Sequence, residues 1–145
     1  MVGDGPERPA TEELARALGV DADVRFVGKQ EQMEEILAVS DIFLLPSDYE
    51  SFGLAALEAM AARAIVISSN AGGLPEINIH GTTGFMANVG DVKAMSEFAL
   101  TVLQDDNKLQ EMKENAYLHA CKFDIKHIIP VYEKLYSRFC RMTIN

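Results

Sequence analysis

Short runs of apolar, mostly β-branched residues alternate with helical patterns through the first half of this chain, and that alternation constrains its fold more than any other feature. The runs are residues 24–27 (VRFV), 42–45 (IFLL) and 65–68 (IVIS). Each is as long as a short strand and apolar almost throughout, which suits a parallel sheet covered on both faces. Between and before them, helical patterns occupy residues 10–18, 31–39 and 53–62. The order predicts an α/β fold, a Rossmann-like doubly wound parallel sheet with right-handed crossovers. Residues 84–87 (GFMA) supply a weaker fourth strand. Beyond Asp91 the chain turns helical, with patterns at 92–103, 107–121 and 125–139, and Asp91, Asp106 and Asp124 stand where N-caps belong.

A length of 145 residues is enough for one domain with a proper core, and no low-complexity tract, repeat or linker divides it. No apolar stretch approaches a bilayer span, and the opening MVGDGPERPATEE lacks the basic and apolar regions of a secretory signal. Cys121 and Cys140 fall in helical patterns without metal-ligand spacing and read as reduced residues of a cytoplasmic protein. The net charge of −9 argues against nucleic acid or an anionic membrane as partner. Val2-Gly3-Asp4-Gly5-Pro6 reads as the end of a strand and a turn with almost no strand before it. The expectation is a domain incomplete on its N-terminal side, whose exposed sheet edge invites association with a second copy.

The richest segment is PSDYESFGLAALEAMAARAIVISSNAGGLPE, residues 46–76. Glu50 follows the run 42–45, at the carboxyl end of a strand, where ligands of open α/β sheets gather. Gly53 opens the next helix and permits close backbone approach where free N–H groups face outward. Glu58 is the sole charged residue of a helix that is otherwise apolar or small on every side. Such a helix is expected to be buried, so Glu58 needs a polar partner, a solvent-facing strip or an open cleft. A helix N-terminus seats phosphate, and carboxylates accept hydrogen bonds from sugar hydroxyls. The combination suits a nucleotide sugar. Two further loops end strands: Gly28-Lys29-Gln30, and Ser69-Asn-Ala-Gly-Gly-Leu-Pro-Glu, in which Pro75 suits the first turn of a short helix. Neither has dinucleotide or P-loop spacing, and the glycine pair serves equally as an ordinary turn. His80, His119 and His127 form no set with a nucleophile or metal ligands, and Met33, Met60, Met86, Met95 and Met112 read as core.

Taken in order, VGDGPE, VRFVGKQ, SDIFLLPSDYESFGLAALEAM, GGLPE and HGTTGF give the chain a resemblance, nearly end to end, to family 4 retaining glycosyltransferases. The part resembled is the C-terminal, donor-binding half of the GT-B fold. VRFVGKQ and PSDYESFGL are most similar to the branch that joins N-acetylglucosamine to L-malate. The resemblance implies that Glu58 accepts hydrogen bonds from ribose and that Glu50 meets the donor sugar near the reacting carbon, as the catalytic residue. It implies that Ser51, Phe52, Gly53 and Leu54 line the sugar and diphosphate, and that Gly28, Lys29 and Gln30 run along a uracil base. It further implies a UDP-sugar donor, an acceptor such as L-malate held mainly by a domain outside this chain, no metal or other cofactor, and no turnover by these residues alone. Siblings using GDP-mannose, UDP-glucose or ADP-glucose share the paired glutamates, and a non-catalytic nucleotide-binding module is the rival from another class. One departure stands out: the family commonly ends the paired-glutamate helix with Gly and follows with Pro, where this chain has Arg63 and Ile65. Arg63 is therefore expected in a strained conformation, or in a rebuilt turn.

Overall fold

The computed structural model describes the backbone of residues 1–142 and the side chains of residues 1–139. Two compact units make it up, Met1–Met33 and a larger one from Glu34 onward. In the first, α1 (Arg8–Ala17) starts with a proline in its opening turn. The segment 24–28 forms no named strand, and Gly28 at its end has φ 66°. It pairs instead with the chain start: Met1 N donates to Arg25 O (2.6 Å), Val27 N to Met1 O (3.1 Å) and Gly3 N to Gly28 O (2.8 Å). Bonds from one residue to positions on either side of its partner are the parallel pattern, here too brief for a ladder. Arg8 braces this pair, its guanidinium on Glu12 (2.8 Å) and on the Phe26 carbonyl (3.4 Å).

The larger unit holds a three-stranded parallel sheet in the order β1 (Ile42–Leu45), β2 (Ile65–Ser69), β3 (Gly84–Ala87). All three strands lie where the apolar runs place them. Between them run α3 (Leu54–Ala61) and the short α4 (Leu74–Ile77); α2 (Met33–Ala38) precedes β1. Then follow α5 (Val92–Leu103), α6 (Asp106–Ala120), a short 3-10 turn at Cys121–Phe123 and α7 (Ile125–Met142). Every residue of β2 is buried, as the middle strand of a sheet covered on both faces must be. On one face Ile65 and Ile67 pack with Phe85, Met95, Val102, Leu109 and Met112, so α5 and α6 cover the sheet there.

Asp91 caps α5 by accepting from Ala94 N at 3.0 Å. The cap of α6 is Asp105, which accepts from Lys108 N at 3.0 Å, and Asp106 is a first-turn residue instead. Two adjacent aspartates differ only in which φ/ψ the chain gives them, and Asp105 takes the extended conformation that an N-cap needs. Asp124 accepts from Lys126 N at the head of α7. Cys121 is a free, exposed thiol, while the Cys140 side chain lies outside the described residues.

Arg63 sits in the left-handed region, φ 65°, alone in that among the described residues other than glycine. Ala64 N bonds to Ala59 O and Arg63 N to Met60 O, the paired bonds of a helix end that normally carries glycine. What holds the arginine there is α6: its guanidinium pairs with Glu114 and lies 4.1 Å from the Tyr117 ring centroid. Arg63→Ala keeps the strained backbone and loses both contacts, whereas Arg63→Gly removes the strain as well. Arg63→Gly is therefore expected to be more stable than Arg63→Ala by about 1 kcal/mol of backbone strain in urea denaturation. Equal midpoints for the two variants would show that the backbone carries no strain.

Candidate functional site

The loop 46–53 leaves the carboxyl end of β1 and delivers the chain into α3. Gly53, φ 99°, occupies the N-cap position, and no side chain caps this end. The N–H groups of the first turn of α3 are thus left without a capping acceptor, the arrangement that favours an anion. Gly53 is there for steric reasons too: a Cβ would fall 2.9 Å from Leu74 Cδ2 and 3.2 Å from Ile77 Cδ1.

Behind the loop lies the glycine pair. Gly73 N donates to Glu50 O at 3.0 Å, and a Cβ on Gly72 would sit 1.7 Å from that same oxygen. A Cβ on Gly73 would meet Ser51 O at 2.7 Å and Phe52 Cα at 3.0 Å. The hydroxyl of Ser69, at the end of β2, donates to Ser47 O and fixes the start of the loop. The glycine pair is therefore more than a turn: its backbone is the surface against which residues 50–52 are set.

Glu50 is half-buried and Glu58 exposed, one turn into α3. Among the described residues neither carboxylate has a hydrogen-bond or ion-pair partner. Among the described residues Glu58 therefore takes part in no structural ion pair. The expectation that α3 is buried all round is corrected: Ala56, Ala59 and Met60 are buried, whereas Leu54, Ala55, Glu58 and Ala61 are exposed. Alanine lowers the polarity of a helix without requiring burial, so composition overstated what the core covers. Ser51 is exposed, Phe52 is 42% exposed and Leu54 is 65% exposed, so the loop and the first turn open outward together. Arg63, the nearest cation in sequence, is committed to Glu114 and Tyr117.

Gly28, Lys29 and Gln30 lie in the Met1–Met33 unit, Gly28 with φ 66° and Gln30 donating from its side chain to Val27 O. The other predicted site residues, Glu50, Ser51, Phe52, Gly53, Leu54 and Glu58, all belong to the larger unit. Among the described residues no three His, Cys, Asp or Glu side chains come together as metal ligands, and no helix is long and apolar enough to cross a membrane.

The sequence profile of the family described as glycosyl transferases group 1 matches residues 1–119. This chain belongs to that family. Its fold is that of the C-terminal part of GT-B glycosyltransferases. N-acetyl-alpha-D-glucosaminyl L-malate synthase of Bacillus anthracis is 39% identical over 137 residues, which cover 94% of this chain and 36% of that enzyme. D-inositol 3-phosphate glycosyltransferase of Corynebacterium kroppenstedtii is 36% identical over 138 residues, 90% of this chain and 31% of its own length. Among solved structures, Anabaena HepE in complex with UDP-glucose superposes with a TM-score of 0.81 at 28% identity, over 94% of this chain and 40% of that one. Sucrose-phosphate synthase of Thermosynechococcus elongatus gives a TM-score of 0.84 at 28% identity, over 97% and 38%. The group 1 glycosyltransferase chain described here thus spans between 31% and 40% of these relatives.

Sequence reasoning missed the parts of the site that act through packing. Gly72 and Gly73 were visible only as a pair of glycines. Asn78 was not singled out, although its side chain, fully buried, ties β2 to β3 behind the loop. No local pattern marks a buried asparagine; the signal would have been three-dimensional.

Proposed function

We propose that residues 1–145 form a nucleotide-sugar donor domain, and that the loop 46–53 with the first turn of α3 holds a UDP-sugar. The observation that carries this reading is the pair of unpartnered carboxylates flanking an uncapped helix start at the carboxyl edge of a parallel sheet. The backbone amides of Phe52, Gly53 and Leu54 face the diphosphate and the sugar; Ser51 lines the same edge. Glu58 accepts from the ribose hydroxyls, and Glu50 contacts the donor sugar beside the reacting carbon. The Anabaena relative, crystallised with UDP-glucose, supports a uridine donor, and the Bacillus anthracis relative supports N-acetylglucosamine as the sugar and L-malate as the acceptor.

In the parent reaction the bond between the anomeric carbon and the diphosphate oxygen breaks, the acceptor hydroxyl oxygen bonds to the same face of the sugar, and its proton leaves with the departing diphosphate. The charge that grows on the departing diphosphate is met by donors already in place, which is electrostatic stabilisation without reorganisation. With net charge −9 the domain's overall field opposes an anion, so these local N–H groups supply the attraction. Acceptor recognition falls to the portion of the relatives that this chain does not match, so these residues bind donor without turning it over.

A titration of the chain with UDP, GDP and ADP, followed through its amide resonances, tests the reading. Uridine is expected to shift Phe52, Gly53 and Leu54 selectively. Glu58→Ala is expected to weaken UDP binding by about 10- to 100-fold, the loss of charge-assisted hydrogen bonds to ribose. Localised shifts with GDP or ADP instead would transfer the site to a sibling donor, and no localised shift with any of the three would remove the donor reading.

A further inference from the structure

Three rings connect α6 to the loop that opens the proposed donor site. His119, near the end of α6, meets Phe123 edge-on, centroids 5.4 Å apart at 67°. Phe123 meets Phe52 edge-on in turn, at 6.5 Å and 71°. Phe52 is followed by Gly53 and the first turn of α3. Both ring nitrogens of His119 are buried, and neither meets a partner in full hydrogen-bond geometry among the described residues, although the Ile77 backbone approaches closely enough to favour a proton on the ring. A neutral imidazole leaves one N–H and one lone pair unmet there; an imidazolium would leave two N–H donors and a charge unmet. To hydrate that charge the ring must move, and the edge contacts with Phe123 and Phe52 move with it.

We propose that His119 is a positioning residue for the donor loop: its neutral form holds Phe123 and Phe52 in the geometry that sets the α3 N-terminus, and its protonation releases them. The inference rests on the donor reading only for its consequence in binding. Burial is the chief influence on the ring and favours the neutral form; Lys122 on the following turn acts in the same direction, and the Ile77 backbone of α4 opposes them weakly. Among the described residues no carboxylate draws a proton onto it. A histidine whose folded pKa lies below its ordinary 6.5 stabilises the fold fully above that value. The contribution is then lost as pH falls from there through the lower folded pKa.

The test follows the amide resonances of Phe52, Gly53 and Leu54 and the His119 ring from about pH 8 to pH 5, without ligand. The expected result is that the loop amides titrate with the His119 ring in the wild-type chain and stay flat in His119→Phe, which keeps a ring in place. His119→Gln, neutral and polar, gives the same flat profile should the phenylalanine variant fail to fold. The same series is then run with UDP-glucose, whose diphosphate has no proton to lose in this range. Its dissociation constant is expected to rise several-fold towards low pH in the wild type and to be independent of pH in the variants. Loop amides that ignore the ring's titration, or a pH response that survives both substitutions, overturn the inference. Coupled amides with no UDP-glucose binding at any pH would leave the ring coupling standing and overturn the donor reading.

Discussion

Gly72→Ala is expected to be the most damaging single-methyl substitution in the site. The new Cβ would lie 1.7 Å from the Glu50 carbonyl oxygen and 2.8 Å from its carbon, and both are backbone, so no rotamer change relieves the overlap. The residue also holds φ 52°, which costs an L-amino acid about 1 kcal/mol even in open space. Displacing the loop breaks the Gly73 N to Glu50 O bond and moves the residues that Gly73 supports. Overpacking of this kind adds to the backbone strain, for a total of roughly 3 kcal/mol or more. Urea denaturation of the variant is expected to show a correspondingly lower midpoint, and a folded remainder is expected to lose UDP binding along with it. Gly81→Ala is the control: that glycine also has positive φ, 78°, but a Cβ there meets nothing within 4 Å, so only the strain is paid. If the two variants lose equal stability, the clamp between the glycine pair and residues 50–52 does not exist.

That contrast also shows where the sequence ceased to be informative. Both glycines are plain in the sequence, and so is the strand beside each, β2 before Gly72 and β3 after Gly81. What distinguishes them is the neighbour across the gap, which for Gly72 is a backbone segment more than twenty residues away in the chain. The residues at the carboxyl edge of β1 carry a local signal: an apolar run ending at Leu45, then Glu50, then a glycine before a helix. The same locality explains the success with Arg63, since a helix end demands a left-handed residue whatever occupies it. It explains the errors as well. Residues 24–27 look like a buried strand by composition, yet among the described residues they form no ladder and bond across to Met1. Asp105 and Asp106 are interchangeable as letters and not as caps. In α3, alanines that look like core leave half the helix surface open, with Leu54, Ala55, Glu58 and Ala61 exposed.

Asn78 supplies the second large effect, and it connects the core to the site. The residue ends α4 and is fully buried on the Val66 and Ser68 face of the sheet. Its amide nitrogen lies 3.1 Å from Val66 O, 3.1 Å from Ser68 Oγ and 3.0 Å from Phe85 O, while its Oδ1 accepts from Thr83 Oγ1 at 3.2 Å. An amide has two N–H groups, so one of the three acceptors shares a proton. Gly84 belongs to the same knot: a Cβ there would sit 2.0 Å from Val66 O and 2.6 Å from Asn78 Oδ1. Asn78→Leu is close in size but takes a donor away from the buried Val66 and Phe85 carbonyls and the Ser68 hydroxyl, at about 1–3 kcal/mol for each group left unsatisfied. A loss of roughly 3–5 kcal/mol is expected, read as a lower urea midpoint. Asn78→Asp separates shape from hydrogen bonding, since it keeps the outline and replaces the donor by an acceptor. Facing two carbonyl oxygens, that carboxylate is destabilising unless it takes up a proton. The aspartate variant is therefore expected to recover part of its stability as pH falls, and Asn78→Leu is not. Because α4 carries the glycine pair at its head and Asn78 at its foot, loosening the foot frees the surface on which Glu50, Ser51 and Phe52 rest. A stable Asn78→Leu with an unchanged amide spectrum at residues 50–54 would cut that connection between sheet and loop.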